Sequence, residues 1–236
     1  MDAKPDTAVA DESHPLADAF RAFVAEADYP CVGAKAALAR GQLDFAVGRD
    51  IRSGWNDLPI SRRLTGFAAD YRREPTLFRS FVAIFEGPRD LDEAAFERCL
   101  WRRVQSLSDK DAWYGYDYDA RVSHDPQSPH FSLSFGGEAF FVVGLHPRAS
   151  RPARRFAAPT LVFNLHDQFE RLREENRYAR MRETILQRDE SLSGSVNPML
   201  AEHGKEPEAR QYSGRAVESD WRCPFRYRGD DQGADR

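Results

Sequence analysis

Gly136-Gly137 stands between two apolar runs, residues 131–135 and 138–145, and that spacing constrains the fold more than any other feature of the chain. A two-residue loop this tight needs positive φ at its centre, which glycine tolerates, and it joins strands that run in opposite directions. At least part of any sheet is therefore antiparallel. The second run does not end in a bland turn. Phe140-Phe141-Val142-Val143-Gly144-Leu145 passes straight into His146-Pro147, then into Arg148, Arg151, Arg154 and Arg155. A further strand-like run, residues 160–164, ends beside His166. Two strand ends thus deliver two imidazoles and a group of guanidinium forks, a combination suited to a metal or an anionic cofactor.

The rest of the chain alternates helical and strand patterns around this hairpin. Leu16, Phe20, Phe23 and Val24 fall at helical spacing behind Pro15, and Pro30 ends that helix. Residues 32–40 form a short Ala-rich helix stopped by Gly41. Strands are expected over 43–47 and 78–85, with a helix over 58–71 between them. Residues 91–107 make the clearest amphipathic helix, capped by Asp90 or Asp92, with Phe96, Leu100, Val104 and Leu107 as its stripe. One long charged helix is expected over 167–190, and residues 191–225 form an irregular wrapping segment. The pattern predicts a single α+β domain over residues 14–227, a mainly antiparallel sheet with helices packed on it. Residues 1–13 and 228–236 are expected to be disordered tails.

Composition narrows the function classes. The net charge of −4 argues against a nucleic-acid partner. No apolar run approaches the roughly 18 residues of a membrane span, and the polar, acidic start lacks the apolar core of a secretory signal. A cytoplasmic protein is expected. Three cysteines without a C-x-x-C pair predict free thiols rather than a thiolate zinc site. All but four of the 34 basic residues are arginine, which genomic composition alone can produce. Neither a phosphate loop, a G-x-S-x-G elbow nor an H-E-x-x-H zinc motif occurs.

Each candidate site residue carries a bland alternative. Cys31, in Pro30-Cys31-Val32-Gly33, sits at a helix start, where unpaired amides lower a thiol's pKa; otherwise it packs as a small hydrophobe. His146 and His166 suit metal or haem ligation, or else are satisfied by backbone at a strand end and a helix start. Arg148, Arg151, Arg154 and Arg155 suit a phosphate or a propionate, or else pair with the acidic helix that follows. Cys99 reads as core, and Cys223, in Trp221-Arg222-Cys223-Pro224-Phe225, as part of a segment docked by its aromatics. Glu138, Asp167 and Glu170 are the carboxylates nearest these strand ends.

Several ordered strings go further than composition. Pro30–Lys35, the run 140–151, Leu161-Val162-Phe163-Asn164-Leu165-His166-Asp167-Gln168-Phe169-Glu170, Gly194-Ser195-Val196-Asn197-Pro198-Met199-Leu200, Arg210-Gln211-Tyr212-Ser213-Gly214-Arg215 and Trp221–Phe225 resemble the YqcI/YcgG family over about residues 16–226. That family includes haem-dependent N-hydroxylases of guanidino groups in natural-product pathways. The resemblance implies haem b (iron), dioxygen as co-substrate, an external electron donor or redox partner, and a guanidino or amino small-molecule substrate. Oxygen cleavage favours a thiolate ligand, hence Cys31, while His146 and His166 stand as alternatives. The four arginines would then meet the haem propionates. Two rival expectations are a non-catalytic haem-binding sensor or carrier, and a cofactor-free small-molecule binding protein.

Overall fold

In the computed structural model, which describes residues 12–197, 199 and 206–229, Gly136 and Gly137 take φ of 59° and 79°. They close the hairpin between β3 (Leu133–Phe135) and β4 (Glu138–Leu145), as the Gly-Gly signal requires. With β1 (Leu43–Asp50), β2 (Ser80–Gly87) and β5 (Thr160–Leu165) these strands form one sheet in the order β1-β2-β5-β4-β3. Three of its four pairings are antiparallel. The β1–β2 pair is parallel, because a helix crosses over between them. The chain is a single α+β domain.

Helices cover both faces of the sheet. On one face lie α3 (Asp57–Arg73) and α4 (Glu93–Trp113), over a core that includes Phe67, Phe96, Leu100, Phe140 and Phe163. Asp92 caps α4, its side chain accepting the Ala95 amide at 2.7 Å. On the other face α1 (Pro15–Ala25) and α2 (Val32–Ala39) bury Phe20, Val24 and Ala37 against Phe45, Val82 and Leu145. The wrapping segment docks by aromatics, with Trp221 against Trp101 and Phe225 against Phe131. Among its described residues it carries a short helix, α7 (Ala209–Tyr212). Among the described residues no helix is long and apolar enough to cross a membrane. The tails expected at 1–13 and 228–236 fall mostly outside the described residues.

The long helix expected over 167–190 is instead two, α5 (His166–Glu174) and α6 (Tyr178–Ser193). Asn176 takes φ 56°, and the Arg177 amide reaches back to the Leu172 carbonyl at 2.8 Å. This is a left-handed helix stop, which Asn accepts more readily than other non-glycine residues. The high charge of 171–177 hid it, since the stop depends on one residue's conformation rather than on the apolar period.

Gly144 marks the tightest point between β4 and α4. A Cβ there would lie 2.7 Å from Phe96 Cε1 and 2.8 Å from Leu100 Cδ1. Gly144→Ala is expected to destabilise the fold by about 1–3 kcal/mol, through forced rotamers in a packed core. A lower urea midpoint with an unchanged denaturant slope would show it; an unchanged midpoint would mean that α4 shifts freely.

Candidate functional site

Alternation along β4 and β5 sorts the residues that the sequence places side by side. In β4, Phe140 and Val142 point into the α3–α4 core, while Val143 packs toward the α1–α2 face and Phe141, its ring against Tyr212 and Phe169, lines the cavities that Cys31 also lines. In β5, Phe163 faces the first core, and Val162 and Asn164 face the second side. Successive strand residues point to opposite faces, so one position decides which side a group serves.

Two adjoining cavities, of about 240 and 200 Å³, lie on the α2–α6 side of the sheet. Cys31, Ala34, Ser80, Phe141, Val143 and Asn164 are common to both, so Cys31 stands where they meet. The thiol caps α2, and its Sγ accepts the Ala34 amide at 3.4 Å. Helix amides were expected to lower its pKa. The net direction is the reverse: burial raises it, and the amide hydrogen bonds from Ala34 and Gly33 offset only part of that. Gly33 sits against Sγ and the Phe78 ring: a Cβ there would lie 3.8 Å from Sγ and 3.6 Å from Phe78 Cδ1. Phe78, which also lines the larger cavity, is held at φ 67°. A non-glycine residue there stores on the order of 1–3 kcal/mol of strain, and no sequence signal announced it.

The four arginines divide. Arg148 donates to the Asp90 carbonyl at 2.9 Å, and Arg155 binds the carbonyls of Ala149 and Ser150, so both pin loops. Arg151 and Arg154 line the smaller cavity. Arg151 pairs with Asp189 of α6 at 2.5 Å and donates to the Ser195 carbonyl at 2.8 Å. Arg154 has no carboxylate in salt-bridge range among the described residues. Its Nη1 donates to the carbonyls of Gly144 and Tyr212, at 3.2 and 3.1 Å. Burial pushes its pKa down to about 10, the mark of a guanidinium held out of water without a counter-ion.

The string at 210–215 is what holds Arg154 there. Tyr212 supplies the carbonyl, and Gly214, at φ 84°, leaves room: a Cβ would lie 2.6 Å from Arg154 Cδ. Ser213 and Arg215 anchor the string to Glu97 of α4, at 3.1 and 2.9 Å. Gln211 and Glu208 reach the larger cavity.

The histidines do not join Cys31. His146 continues the face of Val142 and stacks on Phe96, ring centroids 4.4 Å apart, in the opposite core. Burial lowers its pKa and keeps it neutral. His166 opens α5 behind the cavity wall, its Nε2 3.9 Å from Glu208 Oε1. Cys99 lies in the α4 core, and Cys223 is buried, its pKa raised to about 12. Glu138 and Asp167 face the α3 side, where both bind Arg121, at 2.8 and 3.4 Å. Among the described residues no three His, Cys, Asp or Glu side chains gather to hold a bare metal ion.

A model described as the YqcI/YcgG family matches residues 20–226, so the chain belongs to that family. No curated protein and no solved structure matches it.

Proposed function

We propose that this member of the YqcI/YcgG family is a haem-dependent N-hydroxylase of a guanidino or related amino compound, using dioxygen and an external electron donor. The carrying observation is Cys31, a soft donor with amides directed at its sulfur, opening onto two joined cavities, the smaller of which the partly buried Arg154 lines. The donor set fits haem. Cys31 would hold the iron as thiolate, and Arg154, assisted by Arg151, would take the porphyrin carboxylates. When bound, the haem supplies the oxidising chemistry. In overall balance, one oxygen atom enters the N–H bond and the other leaves as water, consuming two electrons and two protons.

The chain's own part is to orient and exclude. Phe141, Val143, Phe169 and Ile185 wall the cavity with apolar surface, which keeps water from the reacting nitrogen. A cytoplasmic setting and a separate redox partner belong to this same proposal.

The test is to purify the full chain after growth with added haem, record its spectrum reduced and with carbon monoxide, and incubate it with reductant, oxygen and a panel of guanidino and amino compounds. A Soret band and a product heavier by one oxygen are expected. Folded protein that takes up no haem would overturn the proposal. Haem uptake without any product would leave a carrier.

Arg154→Gln is expected to weaken haem retention about ten- to a hundredfold, the worth of one charge-assisted hydrogen bond of roughly 1.5–3 kcal/mol. Arg148→Gln should leave it unchanged. Competition for haem with apomyoglobin reads both, and equal losses would mean that Arg154 is only structural.

A further inference from the structure

We propose that α6 is a hinged lid over the two cavities, latched by the Arg151–Asp189 ion pair, and that lifting of this helix admits a ligand to the Cys31 side of the sheet. Nothing in this depends on whether haem is what enters. A surface helix is ordinarily held by an apolar stripe pressed onto a core. Among the described residues α6 buries one side chain of its 16, and that one is the Asp189 carboxylate. Met181, Ile185 and Leu186 are only half-buried, because they face the larger cavity rather than a core. Ile185 lines the smaller cavity as well, so the helix roofs both. Its packing neighbours are α2, α5 and the turn at Pro152–Arg154, and the cavities lie between its inner face and Phe141 and Val143 of the sheet.

Both ends of the helix carry a left-handed residue, Asn176 at φ 56° before it and Gly194 at φ 70° after it. The chain turns within one residue at each, and hinges are built from such element-terminal positions. The latch lies near the second hinge. Arg151 Nη2 meets Asp189 at 2.5 Å and the Ser195 carbonyl at 2.8 Å, with both members of the ion pair largely out of water. Removing the carboxylate leaves that guanidinium desolvated without its partner, so the closed position depends on this pair more than on apolar contact. A segment with so few buried apolar contacts opens before the rest of the fold. Lids of this kind let a ligand in and then shut it away from water.

The test is amide hydrogen exchange of the full chain read by mass spectrometry, with N-ethylmaleimide labelling of each cysteine followed in parallel by peptide mass. In wild type the α6 amides should exchange well before those of β2 and β5. Asp189→Asn should speed α6 exchange and Cys31 labelling by about tenfold or more, with β2, β5 and Cys99 unchanged. Cys99, in the α4 core, reports opening of the whole fold. Glu183→Gln removes a charge from the exposed face of the same helix and should change neither rate. Folded Asp189→Asn in which Cys31 is labelled no faster than in wild type overturns the proposal. Should that variant fail to fold, wild type decides: α6 amides that exchange only together with β2 and β5 overturn the proposal, and earlier exchange confined to α6 upholds it.

Discussion

Cys31→Ala is expected to abolish the native Soret position and all oxygen-dependent product while the chain stays folded. Among the described residues the thiol is the one cysteine that lines both cavities. Its structural contribution is small. It caps an eight-residue helix through one long hydrogen bond, and losing a cap costs about 0.5–2 kcal/mol. Cys31→Ser retains the cap and separates the two roles: it should match wild type in unfolding midpoint and Cys31→Ala in spectrum. An unchanged spectrum in both variants would transfer the ligand role to His166, because His146 is stacked on Phe96 across the sheet.

The part of the stability that Asp111 contributes should fall as pH rises from about 4 to 8, and Asp111→Asn should remove that fall from the wild-type curve. Asp111 is buried near the end of α4 and accepts the Gly136 amide at 2.8 Å. Burial raises its pKa to about 7, and that one hydrogen bond offsets only part of the shift. Between the unfolded value near 4 and the folded value, the native state binds a proton that the unfolded chain has lost. The stabilisation is therefore complete below the unfolded pKa and is lost as pH climbs through the folded one. At about 1.4 kcal/mol per unit, the swing is on the order of 2–4 kcal/mol. Arg72, which donates to the Gly136 carbonyl at 2.9 Å, is the cation nearest this turn and should be unchanged in the variant. Urea unfolding of both proteins across that range reads the effect. Parallel curves would mean that Asp111 is ionised and paired throughout.

Much of the fold is legible in the residues because its signals are local. Gly136-Gly137 demanded a reversal, Asp92 and the Phe96–Leu107 stripe defined α4, and Gly41 ended α2, each through the conformation or period of a few neighbouring residues. Cys31 at a helix start was equally local, as was the proximity of arginines after β4. Burial, by contrast, is collective, which is why the thiol's pKa moves up where its helix position alone argued for down.

What only the tertiary structure decided is which of these groups share a space. His146 and Leu145 are adjacent in the chain, yet the pleat sends them into different cores. Arg148, Arg151, Arg154 and Arg155 look alike in sequence. Carbonyls and carboxylates claim them differently, near in the chain for Arg155 and remote for Arg148 and Arg151, and Arg154 is held by the Gly144 and Tyr212 carbonyls with Gly214 folded against it. Glu208 carried no signal at all, since its place comes from lining a cavity that residues from seven separate elements build. A sequence records spacing along the chain. Face, burial and competition for partners are set by contacts between residues remote in that order, and those contacts place Cys31, Arg154 and Glu208 on one side of the sheet.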